Sequence, residues 1–167
     1  LGARRPPRLT LLPSTTLCRS GECGAYDAQY KRGKRGVAVD LTAPGGVETI
    51  KDLVRSADGL VENFRPGTMG RLGVGYEVLR EVNPRLVYTA ISGYGRTGSR
   101  SKRPAFDNTA QAAGGIWSMN GYAEHPPVRV GVTIGDLSAT LFAVIGTLAA
   151  LRHAEATGVG PVVDVAQ

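Results

Sequence analysis

Cysteine and histidine are scarce in this sequence, which contains two of each among 167 residues. Cys18 and Cys23 are separated by four residues, and no second cysteine pair or histidine cluster accompanies them. Zinc sites and disulfide frameworks both require more such residues at characteristic spacings. We therefore expect neither a metal site nor a disulfide framework. His125 and His153 have no partner within their own motifs and are predicted to lie on the surface.

Long uninterrupted apolar runs are also missing. The most apolar helical pattern, over residues 137–151, contains small and polar residues and is followed by Arg152 and His153, so we expect no membrane span. The basic N-terminal residues do not lead into an apolar stretch with a small-residue cleavage site, and no secretory signal is predicted. The expected localisation is cytoplasmic.

The positive charge is unevenly distributed along the chain, whose net charge is +6. Residues 1–36 contain eight Lys or Arg and two acids, whereas residues 37–167 contain twelve of each. Nucleic-acid-binding domains concentrate basic residues on a folded recognition surface, and the neutral body of this chain does not fit that pattern. We therefore predict no nucleic-acid partner.

The first residues show no regular pattern. Residues 1–24 include three prolines and several arginines, with neither a strand nor a helix period, and are predicted to be a disordered or foreign leader. Residues 25–167 are predicted to form one folded domain, because a chain of this length with 42% hydrophobic residues can bury one sizeable core.

Strand and helix patterns alternate from about residue 25 onward. Strand 85–92 is apolar enough to be buried on both faces. Helix 137–151 has large apolar residues at helical spacing and small residues between them, which predicts packing on several sides. The alternation predicts an α/β fold with a Rossmann-like parallel sheet and flanking helices. The other expected strands are 37–41, 60–64 and 161–165, and the other expected helices are 47–57, 76–82 and 107–119.

Asp136 directly precedes the pattern of helix 137–151. In one interpretation it is the N-cap, whose side-chain oxygen accepts the backbone N–H of Ser138 or Ala139. In the other it is a catalytic carboxylate, which the positive end of the helix would keep ionised and oriented. The pattern alone favours the cap, because most aspartates at such positions are caps. Asp107 is in the same way expected to cap helix 107–119.

Two loops carry further candidate motifs. Residues 93–98 match G-x-G-x-x-G, but the following residues 99–104 are basic, lack an apolar period and end in proline, so a dinucleotide site is not favoured. The Asn63-Phe64-Arg65 segment follows a predicted strand, at the sheet edge where α/β folds bind ligands. Its amide, ring and guanidinium could bind a nucleotide-like ligand, or the segment could be only a turn fixed by Pro66 and Gly67.

Taken together, the motifs resemble those of the class III CoA-transferases, the family of formyl-CoA transferase and carnitine CoA-transferase, which also includes α-methylacyl-CoA racemases. The matching segments occur in family order from about residue 25 to the end. They are Lys34-Arg35, 61–67, 72–76, 83–86, 91–95, 104–107 and Gly135-Asp136-Leu137.

The resemblance implies that Asp136 is the nucleophile, which forms an aspartyl anhydride and then an aspartyl-CoA thioester. It also implies an acyl-CoA donor, a carboxylic acid acceptor, no permanently bound cofactor, and an interlocked homodimer for the complete protein. The positions that match the family's CoA contacts are Val39, Asp40, Leu41, Thr42, Asn63, Phe64, Arg65, Arg71, Pro104, Ala105, Phe106 and Asp107.

The chain departs from the family pattern in three places. Neither the family's N-terminal opening nor its C-terminal small domain is recognisable, so we expect a central fragment of the large domain. Phe106 stands where racemases of the family have a histidine. The resemblance therefore favours a transferase over a racemase. A catalytically inactive fragment also fits the missing segments, and a basic nucleic-acid-binding module fits the sequence less well.

Overall fold

The computed structural model describes the backbone of Leu9–Leu11 and residues 33–167. Apart from Leu9–Leu11, the predicted leader 1–24, which contains Cys18 and Cys23, lies outside these described residues. The chain divides into two compact units, Leu1–Thr49 and Ile50–Gln167.

The first unit contains a small parallel sheet. Strand β1 (Leu9–Leu11) pairs with β2 (Arg35–Val37), and Leu9 lies opposite Arg35. The predicted strand 37–41 is therefore placed too late in the sequence. Its extension beyond Val37 is replaced by a turn in which Asp40 Oδ1 accepts hydrogen bonds from the N–H of Thr42 at 2.8 Å and from its hydroxyl at 2.7 Å. Such local side-chain bonds compete with strand pairing.

The second unit is built on a three-stranded parallel sheet in the order β3-β4-β5, which confirms the predicted α/β fold. The central strand β4 is buried from Val87 to Ala90, as its apolar sequence predicts. The strands are β3 (Gly59–Glu62), β4 (Val87–Ser92) and β5 (Val162–Ala166). The helices are α1 (Gly46–Arg55, which begins in the first unit), α2 (Thr68–Arg71), α3 (Tyr76–Val82), α4 (Asp107–Ala113), a 3-10 turn (Ile116–Met119) and α5 (Ile134–Thr157).

Helix α5 packs on the sheet through its small residues. Its buried positions include Ala139, Ala143, Ala150 and Ala154, which contact β4 and β5. A Cβ on Gly146 would lie 2.7 Å from Val163 Cγ1, so the helix axis lies too close to the sheet for larger side chains. The expectation that the large apolar residues pack on several sides is therefore wrong for the described structure.

The opposite face of α5 is apolar and exposed. Leu141, Phe142, Ile145 and Leu148 are each 58–65% exposed. The helix has 24 residues rather than the expected 137–151, and among the described residues it alone is long and apolar enough to cross a membrane by length and composition. The helix is therefore longer than its pattern predicts, and core helices of soluble proteins also meet this criterion of length and composition.

Candidate functional site

A cavity of about 700 Å³ opens at the carboxyl ends of β3 and β4, where parallel α/β sheets bind their ligands. The loop after β3, the segment before α4 and the first turns of α5 form its walls. The lining includes Asn63, Phe64, Arg65, Ser92, Arg103, Pro104, Ala105, Phe106, Asp107, Asn108, Arg129, Asp136 and Gln167. The hydroxyl Oγ of Ser92 is buried and has no hydrogen-bond partner in the described part of the chain.

Asp136 lies in the first turn of α5 and points its carboxylate to this cavity. The helix begins at Ile134 after Thr133, so Asp136 is its third residue and not the predicted N-cap. The side chain of Asp136 accepts a hydrogen bond from Gln167 Nε2. Its oxygens are therefore not used to cap the helix, and the carboxylate is exposed to the cavity.

Asp107 caps α5 in place of Asp136. Its Oδ1 accepts the N–H of Gly135 at 2.8 Å and that of Asp136 at 3.4 Å. The prediction that Asp107 caps its own helix is wrong, because Phe106 is the N-cap residue of α4 and Asp107 is directed to α5. The approach is close, since a Cβ on Gly135 would lie 3.1 Å from Ala110 Cβ and 3.2 Å from Asp107 Oδ1. Glycine before Asp136 permits this contact.

Gln111 holds Asp107 from the next turn of α4 and is fully buried. Its Nε2 donates to Asp107 Oδ2 at 2.7 Å and to the carbonyl of Val132 at 3.1 Å. Its Oε1 accepts from Trp117 Nε1 at 3.1 Å and from the N–H of Val130 at 2.9 Å. One amide thus links α4, the 3-10 turn and the chain entering α5, and fixes the carboxylate that caps the helix of Asp136.

Two effects raise the pKa of Asp136 above its ordinary value. Partial burial of the carboxylate contributes most, and the negative charge of Asp107 adds to it. A carboxylate with a raised pKa is more basic and hence a better nucleophile once ionised, as Brønsted behaviour of other nucleophiles shows.

Glu62 fixes the loop that follows β3. Its Oε2 accepts the N–H of Phe64 at 2.7 Å, and its Oε1 accepts the hydroxyl of Tyr88 at 3.3 Å. Burial raises the pKa of Glu62, against the opposing effect of these two hydrogen bonds. Burial, with the nearby Glu62 charge, also raises the pKa of Tyr88 well above its usual range. Glu62 thus connects the loop after β3 to the buried strand β4.

Three arginines line the cavity. Arg65 follows the loop of Phe64, and Arg103 precedes the segment 104–107. Arg129 donates from Nη1 to Asn108 Oδ1 at 3.2 Å, which holds its guanidinium against the start of α4. None of these three arginines forms an ion pair with a carboxylate in the described part of the chain.

The sequence model of the family described as CoA-transferase family III matches residues 12–167. The chain belongs to CoA-transferase family III. Its match begins within the predicted leader 1–24 and includes every segment that lines the cavity.

Similar proteins and a similar crystal structure support the family assignment. The succinyl-CoA:mesaconate CoA-transferase of Haloarcula hispanica is 44% identical over 147 residues, which are 86% of this chain and 37% of that protein. The acetyl-CoA:oxalate CoA-transferase of Acetobacter aceti is 42% identical over 146 residues, 87% of this chain and 38% of that protein. A crystal structure of a CAIB/BAIF family protein from Brucella suis matches with a TM-score of 0.77 at 36% identity, over 80% of this chain and 35% of that one.

The chain spans about a third of the length of the curated relatives it matches, from 32% to 38% for the most similar ones. The family assignment therefore rests on this part of the relatives' length.

Eight of the family's predicted site positions come together in the cavity: Asn63, Phe64, Arg65, Pro104, Ala105, Phe106, Asp107 and Asp136. Arg71 does not line it, and its Nη2 donates to Thr68 Oγ1 at 3.0 Å. Val39 and Asp40 line a separate concave surface within the first unit, and Leu41 and Thr42 lie beside it in sequence.

Sequence reasoning missed Gln111, Asn108 and Arg129. A signal for Gln111 was present, because it lies four residues after Asp107 and therefore on the same face of α4. Asn108 and Arg129 carried no comparable signal, since their contact joins residues 21 positions apart in the sequence.

The structure also bears on the glycine motif and on candidate metal ligands. Residues 93–98 do not open a helix, and the next helix begins at Asp107, as expected from the basic segment between them. Within the described residues, no group of three or more His, Cys, Asp or Glu side chains is arranged to hold a metal ion.

Proposed function

We propose that the protein transfers coenzyme A from an acyl-CoA donor to a carboxylic acid through covalent intermediates on Asp136. The carboxylate of Asp136 attacks the thioester carbon, the C–S bond breaks, and CoA leaves as a thiolate with a mixed anhydride remaining on Asp136. The thiolate then attacks the Asp136 carbonyl carbon of the anhydride. This step releases the donor acid as a carboxylate and leaves an aspartyl-CoA thioester.

The acceptor reverses the sequence. Its carboxylate attacks the aspartyl thioester, releases CoA thiolate and forms a second anhydride. Attack of the thiolate on the acceptor carbonyl of that anhydride gives the new acyl-CoA and restores the Asp136 carboxylate. No net proton or electron is consumed, so the proposed steps balance without a redox co-reactant.

The observation that carries this proposal is the position of Asp136. Its carboxylate faces the cavity at the start of α5, while Asp107 takes over the capping of that helix. A capping aspartate would have its oxygens occupied by backbone N–H groups, whereas this carboxylate is available to a thioester carbon. The positive end of the helix also stabilises the negative charge of the ionised Asp136 carboxylate.

We further propose that the segments 63–65 and 104–107 bind CoA in this cavity. The resemblance alone supports Val39, Asp40, Leu41, Thr42 and Arg71 as further CoA-binding residues of the full-length protein. The loop fixed by Glu62 supports the first part, because it presents Asn63, Phe64 and Arg65 to the same space as Asp136. Residues 25–167 would then be part of a large CoA-transferase domain.

A racemase of the same family is the second candidate, and Phe106 argues against it. This residue is 76% exposed and lines the cavity, at the position where the resemblance places a racemase histidine. A phenyl ring cannot donate or accept the proton that racemisation needs. Solvent deuterium should therefore not enter the carbon next to the thioester in this protein.

We also propose that the full-length protein is a cytoplasmic homodimer in which α5 is covered. The exposed face of Leu141, Phe142, Ile145 and Leu148 supports a packing partner, because contiguous apolar patches of this kind are rarely left in water. The neutral body of the chain supports neither a nucleic-acid nor a membrane-surface role.

Asp136→Asn in the full-length protein tests the transferase proposal. The amide keeps the size of the side chain but cannot form the anhydride, so acyl-CoA transfer should fall by at least about 10³-fold. The matched control is Asp52→Asn on α1, an exposed residue whose ion pair with Arg55 contributes little. The control should retain full activity, and an active Asp136→Asn enzyme would refute the proposal.

A further inference from the structure

Arg129 stands in the cavity of Asp136 but outside the segments proposed to bind CoA. Its guanidinium is held by Asn108 Oδ1 at 3.2 Å. Its backbone is held as well, because the N–H of the next residue, Val130, donates to the buried Gln111 at 2.9 Å. Arg129 is exposed, but these hydrogen bonds restrict it before any ligand binds, which lowers the entropic cost of using it for recognition.

The charges around Arg129 leave its guanidinium without a carboxylate partner. It forms no ion pair in the described part of the chain. The carboxylate of Asp107 is engaged by backbone N–H groups and by Gln111. Asp136, the other acid of the cavity, loses its charge whenever it is acylated in the proposed mechanism. At that stage the cavity holds a cation that lacks an anion.

In the proposed function, the other two arginines of the cavity pair with CoA. Arg65 and Arg103 adjoin the segments 63–64 and 104–107, and the phosphates of CoA are suitable partners for guanidinium groups in those positions. Arg129 comes instead from the chain that leads into α5. The anion of the proposed reaction that remains for it is a carboxylate on the acid being activated.

We propose that Arg129 binds a second carboxylate on the substrate, and that the substrates are therefore dicarboxylic acids and their CoA monothioesters. This inference rests on the proposed CoA transfer at Asp136. One carboxyl group of the acid reacts at Asp136 while the other pairs with the guanidinium fork of Arg129, a geometry that carboxylates match through two parallel hydrogen bonds. A monocarboxylic acid of equal length leaves Arg129 unpaired.

The test measures exchange of each labelled acid with its own CoA thioester in the full-length protein. Three pairs are compared, malonate with propionate, succinate with butyrate and glutarate with valerate, because each pair differs by one carboxylate. At least one dicarboxylate should exceed its partner in kcat/KM by about tenfold or more, since a site built for a polar group rejects the analogue that lacks it. Arg129→Gln should reduce this ratio towards one, and Arg129→Lys should reduce it partially.

The matched control is Arg152→Gln, the same substitution at an exposed residue near the other end of α5, and it should leave the ratio unchanged. The inference is overturned if the wild-type protein exchanges both members of every pair equally well. It is also overturned if Arg129→Gln lowers exchange of both members by the same factor, which would assign Arg129 to CoA. Absence of exchange with all six acids would also overturn this inference, whereas CoA transfer itself is tested separately by Asp136→Asn.

Discussion

Replacing Gln111 by Met tests how the site is held together. Methionine is similar in size but offers none of the four hydrogen bonds that the amide makes. Among its partners only Asp107 is buried, whereas Trp117 and Val130 are half-buried and Val132 is exposed. Water can replace the amide at the exposed partners, so the main cost falls on the Asp107 carboxylate and on part of the Trp117 and Val130 groups.

The expected loss of stability follows from these exposures. A buried polar group that loses its partner costs about 1–3 kcal/mol, and more when it is charged. We therefore expect Gln111→Met to lower the free energy of unfolding by about 2–4 kcal/mol, a large part of the 5–15 kcal/mol typical of domains. Urea unfolding of the full-length protein measures this loss.

Gln111→Met should also loosen the start of α5. Hydrogen exchange should accelerate at the N–H groups of Gly135 and Asp136, because the carboxylate that accepts them is no longer held. Ser118→Ala, which removes one exposed hydrogen bond to Gly115, is the control and should cost less than about 1 kcal/mol. A loss below about 1 kcal/mol for Gln111→Met, with unchanged exchange at Gly135, would refute the view that Gln111 organises the start of α5.

Three further predictions concern the walls of the cavity. Gly93→Ala should destabilise the fold by about 1–3 kcal/mol in thermal or urea unfolding, because a Cβ there would overlap Ala105, and a neutral effect would contradict that contact. Raising the pH above 4.5, the ordinary pKa of a glutamate, should stabilise Glu62→Gln relative to the wild type. The folded-state pKa of Glu62 is raised, so ionisation of Glu62 above pH 4.5 costs the wild type stability. A difference in melting temperature that does not change with pH would show that Glu62 is not perturbed. Asn63→Ala and Arg71→Ala should each weaken CoA binding in a calorimetric titration, and unchanged affinity in both would remove these residues from the CoA site.

The parallel sheet was predictable because its strands are short apolar runs separated by amphipathic helices. Helix α3 begins and ends where its pattern places it, at Tyr76 and Val82, since the proline at position 84 stops it. Strand β2 was misplaced, because the hydrogen bonds between Asp40 and Thr42 override an alternating pattern that by itself reads as strand.

The grouping of the site residues around one cavity was predictable, but their hydrogen bonds were not. The family motifs identify eight residues that the fold gathers in one cavity, including Asp136. Which carboxylate caps α5 was not predictable, because the answer depends on a contact between Asp107 and Gly135 across 28 positions of sequence. The buried face of α5 was also misjudged, since close approach to the sheet selects alanine over the larger apolar residues.

Trapping of the covalent intermediate tests the central claim most directly. The full-length protein is incubated with an acyl-CoA that it uses and then treated with hydroxylamine, which converts an aspartyl anhydride or thioester to a hydroxamate. Mass spectrometry of the peptide around Gly135-Asp136-Leu137 should locate the modification on Asp136, and Asp136→Asn should show none. An enzyme that transfers CoA but yields no hydroxamate, or yields it on another residue, would contradict the assignment of Asp136 as the nucleophile.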